Sequence, residues 1–288
     1  MESDRPGPKS EFRITAVENG GVRERFDELA TEEPLEIRLV LAGESRTVSV
    51  TMRTPGADFE LVAGFLHNEG VVSNRREIRG LSYCVDRDID PEQRYNIVNV
   101  ELTSAAWPNL DRLERHFMTI SACGVCGKAS IEALRVRNVP SVGAGPVLTP
   151  ALITSLPEKL RSAQGVFATT GGLHAAALFD TGGTLLALRE DVGRHNALDK
   201  LIGWAFMNGK LPLTDCIVMV SGRTSFEIVQ KSVVAGVPVV CAVSAPSSLA
   251  VETAEAFGIT LVGFLRDGRF NVYSHPERVG AAAARPRR

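Results

Sequence analysis

The sequence predicts an α/β protein in which a smaller, mostly-β N-terminal domain precedes a larger C-terminal α/β domain. Three observations lead there. From Phe12 to about Leu102 the apolar residues mostly recur with a strand's period, and one helical stripe interrupts them. Beyond Thr149, strand-like runs come to alternate with helical ones, the order that builds a parallel sheet. Between the two lies a link from about Trp107 to Gly145, whose last part is broken by Pro140, Gly143 and Gly145. The N-terminal domain with its link is therefore expected over 11–145, and the C-terminal domain over 146–280.

In chain order, strands are expected at 12–17, 35–41, 46–53, 78–85 and 95–102. Val48, Val50 and Met52 alternate with Ser49, Thr51 and Arg53, the pattern of a half-buried strand. Pro55-Gly56-Ala57-Asp58 offers a turn and a helix cap, and Gly70 offers a stop. Between them Phe59, Val62, Ala63, Phe65 and Leu66 form an apolar stripe. Lys128 to Arg135 reads as helical, with Ala129, Ile131 and Leu134 apolar. Further strands are expected at 166–170, 175–179, 184–188, 216–220, 237–243 and 259–265, with helices near 196–207, 224–235 and 247–257. In such sheets ligands sit beyond the carboxyl ends of strands. Those ends carry Ser221 to Ser225, Ser244 to Ser248 and Phe264 to Arg269, all small, polar or basic, as a phosphate-bearing ligand requires.

Composition narrows the function classes. The 288 residues are 44% hydrophobic, enough for a sizeable core. The net charge of -2 gives no global basic field for nucleic acid. Arginine greatly outnumbers lysine, which leaves local bidentate anion sites open. No apolar run approaches the roughly 20 residues of a membrane helix. The polar, Pro-containing stretch from Met1 to Lys9 does not read as a signal peptide. Five cysteines, three of them isolated (Cys84, Cys216 and Cys241), do not make a disulfide framework and fit a reducing cytoplasm.

Cys123-Gly124-Val125-Cys126-Gly127-Lys128 is the one place where two cysteines come close. A structural zinc needs four ligands, and no second Cys or His pair exists to complete one. A thioredoxin-type dithiol opens a helix after a strand, whereas the segment before Cys123 reads as helical or irregular. Two thiols framed by Gly124 and Gly127 suit an exposed loop that another molecule can approach better than they suit a core. A reactive surface thiol is the favoured reading. Gly124 to Ala129 is too short between its glycines for a phosphate loop and lacks the hydroxyl after Lys128.

Two further strings stand out. Thr169 to Ala176 joins two expected strands through Gly171-Gly172 and carries His174. Arg189 to Asn196 holds two arginines, two acids and His195 ahead of a helix, with Asn196 as its expected cap. That is dense for a plain loop, and a site role is expected. A zinc deaminase would pair His-x-Glu with Pro-Cys-x-x-Cys. Here Ala122 precedes Cys123 and Ala176 stands where the Glu would be, so that chemistry is absent.

Seven strings in order resemble the FdhD family, the formate dehydrogenase accessory sulfur carriers. They are Thr51 to Gly56, Cys123 to Gly127, Thr170 to Ala176, Arg189 to Asn196, Ser221 to Glu227, Ser244 to Ala250 and Gly263 to Arg266. The resemblance implies a cytoplasmic homodimer whose C-terminal domain is similar to the cytidine-deaminase fold without its zinc centre. It implies a sulfurtransferase that takes persulfide sulfur from a cysteine desulfurase. The sulfur goes to the molybdenum of the bis(molybdopterin guanine dinucleotide) cofactor required by molybdenum formate dehydrogenase. Cys123 corresponds to the persulfide carrier, and Cys126 shares its motif with an undetermined role. Phe264, Leu265, Arg266, Asp267, Gly268 and Arg269 correspond to a cofactor-binding loop, for which GDP serves as a mimic. Arg266 and Arg269 suit pyrophosphate as charge-assisted donors. Phe264 either stacks on guanine or ends its strand in the core. No resident metal is implied. A redox dithiol protein and a nucleotide-binding module without chemistry are the rival classes.

Overall fold

A computed structural model of the chain describes residues 5–84, 94–104, 106–110, 131–132, 134–135 and 139–280. Cys123, Cys126 and most of the helix expected over 128–135 lie outside the described residues. The fold is mixed α/β, as expected.

The N-terminal half begins with a ribbon of β1 (Lys9–Glu18) and β2 (Gly21–Ala30). Only part of β1 is expected from the sequence pattern. Asn19 and Gly20, both at positive φ, make the two-residue turn whose twist suits a hairpin. A four-stranded sheet follows, built from β3 (Glu33–Leu41), β4 (Glu44–Arg53), β5 (Ile78–Tyr83) and β6 (Ile97–Leu102) in the order β4-β3-β6-β5. Strand β3 pairs antiparallel with β4 and parallel with β6. Its inward residues Leu35, Ile37, Leu39 and Leu41 share a core with Leu61, Val62, Ala63 and Leu66 of α1 (Asp58–Asn68).

A buried arginine locks the start of α1 to this sheet. Arg53, fully buried, donates through Nε and Nη2 to the two carboxylate oxygens of Asp58, each at 3.2 Å. It also donates to the Tyr95 carbonyl and Asn96 Oδ1. A charge this deep is tolerated because every direction of its fork finds an acceptor. Asp58 is thus the first residue of α1 rather than its cap, a position taken by Ala57 in a left-handed conformation. Gly70 does end the helix, at positive φ.

The C-terminal half is a six-stranded sheet in the order β12-β11-β10-β9-β7-β8. Its strands are β7 (His174–Asp180), β8 (Leu185–Asp191), β9 (Cys216–Val220), β10 (Val239–Ala242), β11 (Thr260–Arg266) and β12 (Arg269–Ser274). Strands β9, β10 and β11 are parallel, and β7, β8 and β12 run antiparallel to their neighbours. The three helices expected near 196–207, 224–235 and 247–257 are α4 (Arg194–Met207), α5 (Phe226–Val234) and α6 (Ser248–Phe257). They cover one face of the sheet, where Val218, Val220, Val240 and Leu261 point. Ile217, Met219, Val239 and Val262 point to the other face, against Ile153, Leu156 and Leu160 of α2 (Pro150–Ala163). Burial on both faces explains why these strands read as unbroken apolar runs.

Three expectations are corrected here. Residues 166–170, expected as a strand, form a short helix α3 (Gly165–Thr170). Glu190 accepts from the amides of Val166 at 3.0 Å and Phe167 at 2.8 Å, and this tertiary cap holds a locally strand-like sequence in a helix. Gly171-Gly172 therefore joins a helix to β7, with Gly171 as the left-handed C-cap. The cap of helix α4 is Gly193, not Asn196, because Asn196 is drawn into the contacts described below.

The halves meet where α1 crosses α4. The crossing occurs at two glycines: a Cβ on Gly64 would lie 1.9 Å from the Asp199 carbonyl oxygen, and one on Gly203 1.8 Å from that of Glu60. Below the crossing a buried network joins Lys231 to both carboxylate oxygens of Asp199, at 2.8 and 2.9 Å, and Asn68 to Asp199 at 2.6 Å. No helix among the described residues is long and apolar enough to cross a membrane.

Candidate functional site

Three loops lie side by side beyond the carboxyl ends of β9, β10 and β11. Backbone bonds tie them together. Thr224 donates to the Ala245 carbonyl at 3.2 Å, Ser247 donates to the Thr224 carbonyl at 2.9 Å, and Phe264 donates to the Ser244 carbonyl at 3.1 Å. Ser247 also caps α6 by accepting from the Ala250 amide. The strings Ser221 to Ser225, Ser244 to Ser248 and Phe264 to Arg269 therefore form one continuous rim.

The Phe264 to Arg269 string is the β11–β12 hairpin. Asp267 and Gly268, both at positive φ, make its two-residue turn between the paired Arg266 and Arg269. A bulge falls between Gly263 and Arg266, and within it Phe264 adopts φ 52°. A bulky side chain at positive φ is uncommon, and such strain persists only where the surroundings impose it. They do so here. Gly263 packs so tightly that a Cβ would lie 2.9 Å from the Tyr273 ring and 3.0 Å from Pro246. Phe264 is left half-buried at the rim, with the Arg266 guanidinium 5.9 Å from its ring centre. Leu265 points the other way, into the core, so only its backbone faces the rim. Arg266, Asp267, Gly268 and Arg269 are exposed.

The charged string Arg189 to Asn196 is largely occupied with structure. Arg189 pairs with Glu60 on α1. Glu190 caps α3. Asp191, fully buried, meets Lys200 at 2.6 Å and accepts from the amides of Thr54 at 3.2 Å and Gly193 at 2.8 Å. Asn196 donates to the Met52 carbonyl at 2.7 Å and to Asp191 at 3.2 Å. Two of the strings singled out in the sequence, Thr51 to Gly56 and Arg189 to Asn196, are thus partners that clamp the halves together. Lys200, absent from every candidate string, completes this clamp. The signal for it was a lysine within an apolar helix pattern.

His195 has another role. Its Nε2 lies 3.0 Å from Glu227 Oε2 and 3.1 Å from Ser225 Oγ, and Ser225 also donates to Glu227 at 3.0 Å. The His195 contact holds the Glu227 carboxyl well below the usual carboxylate range, at about 2. A carboxyl whose pKa is depressed on folding contributes stability that is present above its unfolded value near 4.5 and is lost as pH falls toward 2. Glu227→Gln should therefore flatten the fall of the urea midpoint across that window. A variant whose midpoint falls as steeply as wild type would show that the pair contributes nothing to acid sensitivity.

The three isolated cysteines are poor nucleophiles. Burial pushes the Cys241 thiol up to about 12 and raises that of Cys216, and Cys84 is buried. Among the described residues no group of three His, Cys, Asp or Glu side chains is placed to hold a metal ion.

Comparison with known proteins places this architecture. The pattern of the FdhD/NarQ family matches residues 30–280. The sulfur carrier protein FdhD of Streptomyces coelicolor is 49% identical over 274 residues, 94% of this chain and 96% of that one. That of Mycolicibacterium paratuberculosis is 50% identical over 273 residues, 94% and 98% of the two chains. That of Sulfolobus acidocaldarius is 42% identical over 267 residues, 93% of this chain and 97% of that one. A crystal structure assigned to a formate dehydrogenase accessory protein of Desulfotalea psychrophila matches with a TM-score of 0.71 at 25% identity, covering 94% of this chain and 99% of that one. With its matched region and its relatives spanning nearly the whole length, the chain belongs to the FdhD/NarQ family.

Proposed function

We propose that this protein is a sulfur carrier for formate dehydrogenase maturation. Near-full-length identity of about one half to proteins named sulfur carrier carries the reading. Cys123 and Cys126 supply the only close thiol pair in the sequence, and the three isolated cysteines are buried or half-buried.

In this reading the Cys123 thiolate attacks the outer sulfur of a persulfide on a cysteine desulfurase. The sulfur–sulfur bond of the donor breaks, the desulfurase thiolate leaves, and Cys123 carries the persulfide. The protein, a cytoplasmic homodimer, then presents that sulfur to the molybdenum of the bis(molybdopterin guanine dinucleotide) cofactor, its substrate. The β11–β12 hairpin binds the guanine dinucleotide end. Phe264, held half-buried at the rim, stacks on guanine, and Arg266 and Arg269 hold phosphate oxygens.

Incubation with a cysteine desulfurase and cysteine should add one sulfur, about 32 Da, to the intact mass, reversibly under reductant. Cys123→Ala should abolish that gain and the maturation of a molybdenum formate dehydrogenase, whereas Cys126→Ala retains part of both. A loss of two hydrogens instead would identify a dithiol redox protein. Full formate dehydrogenase activity in cells carrying only Cys123→Ala would refute the carrier role.

A further inference from the structure

The β1–β2 ribbon is a sheet of two strands only, and every residue in those strands except Ala16 is half-buried or exposed. Phe12 is 52% exposed and Phe26 64%, on opposite faces of the ribbon. A hairpin of two strands is marginally stable in water, and a third strand or a packed face is what secures one. The body supports the ribbon at its base, where a Cβ on Gly172 would lie 3.7 Å from Ala30 Cβ. That contact falls on β2. Among the described residues no strand pairs with the outer edge of β1.

The turn fixes what this edge presents. Glu18 and Gly21 close the two-residue turn, and the register runs unbroken from there to Lys9 and Ala30. The residues of β1 that bond to β2 are then the even-numbered ones. The far end agrees, since the Thr31 amide donates to the Pro8 carbonyl at 3.0 Å. The N–H and C=O groups of Lys9, Glu11, Arg13, Thr15 and Val17 therefore point outward. Such an unpaired row is a template for another strand.

Charge identifies that strand. Four ion pairs lie within the ribbon: Lys9–Glu28, Arg13–Glu24, Arg23–Glu18 and Arg25–Asp27. Only Glu11 lacks a cation among the described residues. The ribbon as a whole thus offers little field to a strongly charged partner, and its edge calls for one cation. In Glu11-Phe12-Arg13 opposite charges flank an aromatic ring. Antiparallel pairing about a two-fold axis through Phe12 sets Glu11 of each copy opposite Arg13 of the other, and Phe12 opposite its equivalent. The phase is right. Glu11 and Arg13 both face the edge and form the hydrogen-bonded pairs, while Phe12 forms the closer, non-hydrogen-bonded pair. An axis through Glu11 or Arg13 would oppose like charges. One through Ile14 would set Glu11 against Val17.

We propose that β1 pairs with β1 of a second copy about an axis through Phe12, making a four-stranded sheet in the order β2-β1-β1-β2. This deepens the homodimer reading above, on which it rests, by naming its contact. Phe12 and Ile14 of both copies then share one face of that sheet, and two Glu11–Arg13 pairs lie on the other.

Sedimentation velocity of the full chain over a dilution series tests this. Wild type should sediment at twice the 31.0 kDa of one chain. Glu11→Arg and Arg13→Glu each turn two attractive pairs into repulsive ones and should weaken the dimer at least about tenfold. The double variant Glu11→Arg/Arg13→Glu restores both pairs with their ends exchanged and should recover most of the loss. Unchanged circular dichroism in each variant shows that the fold is kept. In a background of Cys123→Ala and Cys126→Ala, Phe12→Cys should be linked into a reducible dimer by diamide, and Phe26→Cys should not. A wild-type dimer that both single reversals leave intact would overturn the β1 contact and keep the homodimer. So would single losses that the double variant fails to recover, or linkage through Phe26→Cys alone. A wild-type monomer at every concentration would overturn both.

Discussion

Gly203→Ala will destabilise the protein by roughly 3 kcal/mol or more, the upper range for forcing atoms into a packed core, and Gly64→Ala will do likewise. The reason is the crossing of α1 and α4. A new methyl at Gly203 would meet the Glu60 carbonyl oxygen at 1.8 Å and the Gly64 nitrogen at 2.8 Å. One at Gly64 would meet the Asp199 carbonyl at 1.9 Å and the Gly203 nitrogen at 2.8 Å. These neighbours are backbone, so no side chain can swing aside. The axes must separate, and separation loosens everything stapled across them, including the Asn68–Asp199 bond and the Arg189–Glu60 pair. Urea unfolding of the two variants is the measurement. Gly165→Ala is the control, because nothing lies within 4 Å of the place its methyl would take and its φ is ordinary. It should be neutral or slightly stabilising, by about 0.5 kcal/mol, through lower chain entropy. Wild-type midpoints in both crossing variants would mean that the helices do not touch there.

Those glycines show why part of the fold could not be read from sequence. Gly64 interrupts the apolar stripe of α1, and sequence pattern alone gives only its cost in helix propensity. Its purpose appears when a second glycine, Gly203, distant in the chain, is found opposite it. Elements whose periodicity is their own were legible: β3, β4, β6, α1, the parallel strands and the three helices α4, α5 and α6. Elements set by distant partners were not. Helix α3 depends on Glu190 as its cap. Helix α2 contains Pro157, which sequence reasoning takes as a breaker, yet Ile153, Leu156 and Leu160 fill the lower core. Strand β2 was signalled by Asn19-Gly20 but shows almost no buried face, so its alternation carried no information.

The candidate site divides the same way. The three loops at strand ends were placed correctly, because parallel strands fix where their carboxyl ends go. The charged string Arg189 to Asn196 could not be sorted by composition. Only partners separate Arg189, Glu190, Asp191 and Asn196, which hold the fold, from His195, which meets Glu227 and Ser225.

Asp191→Asn will cost about 3–5 kcal/mol, the range for leaving a buried charge without its partner. Asp191 is fully buried and receives four donors: Thr54 N and Lys200 Nζ on one oxygen, Gly193 N and Asn196 Nδ2 on the other. An amide in its place keeps the size but turns one acceptor into a donor that faces two donors. It also leaves the Lys200 ammonium, 2% exposed, with only the Thr54 and Glu190 carbonyls. Adding Lys200→Met removes that unpaired charge. The double variant should therefore be more stable than the sum of the single losses predicts, by about 1–3 kcal/mol. Strict additivity in urea unfolding would mean that the two side chains do not form a pair.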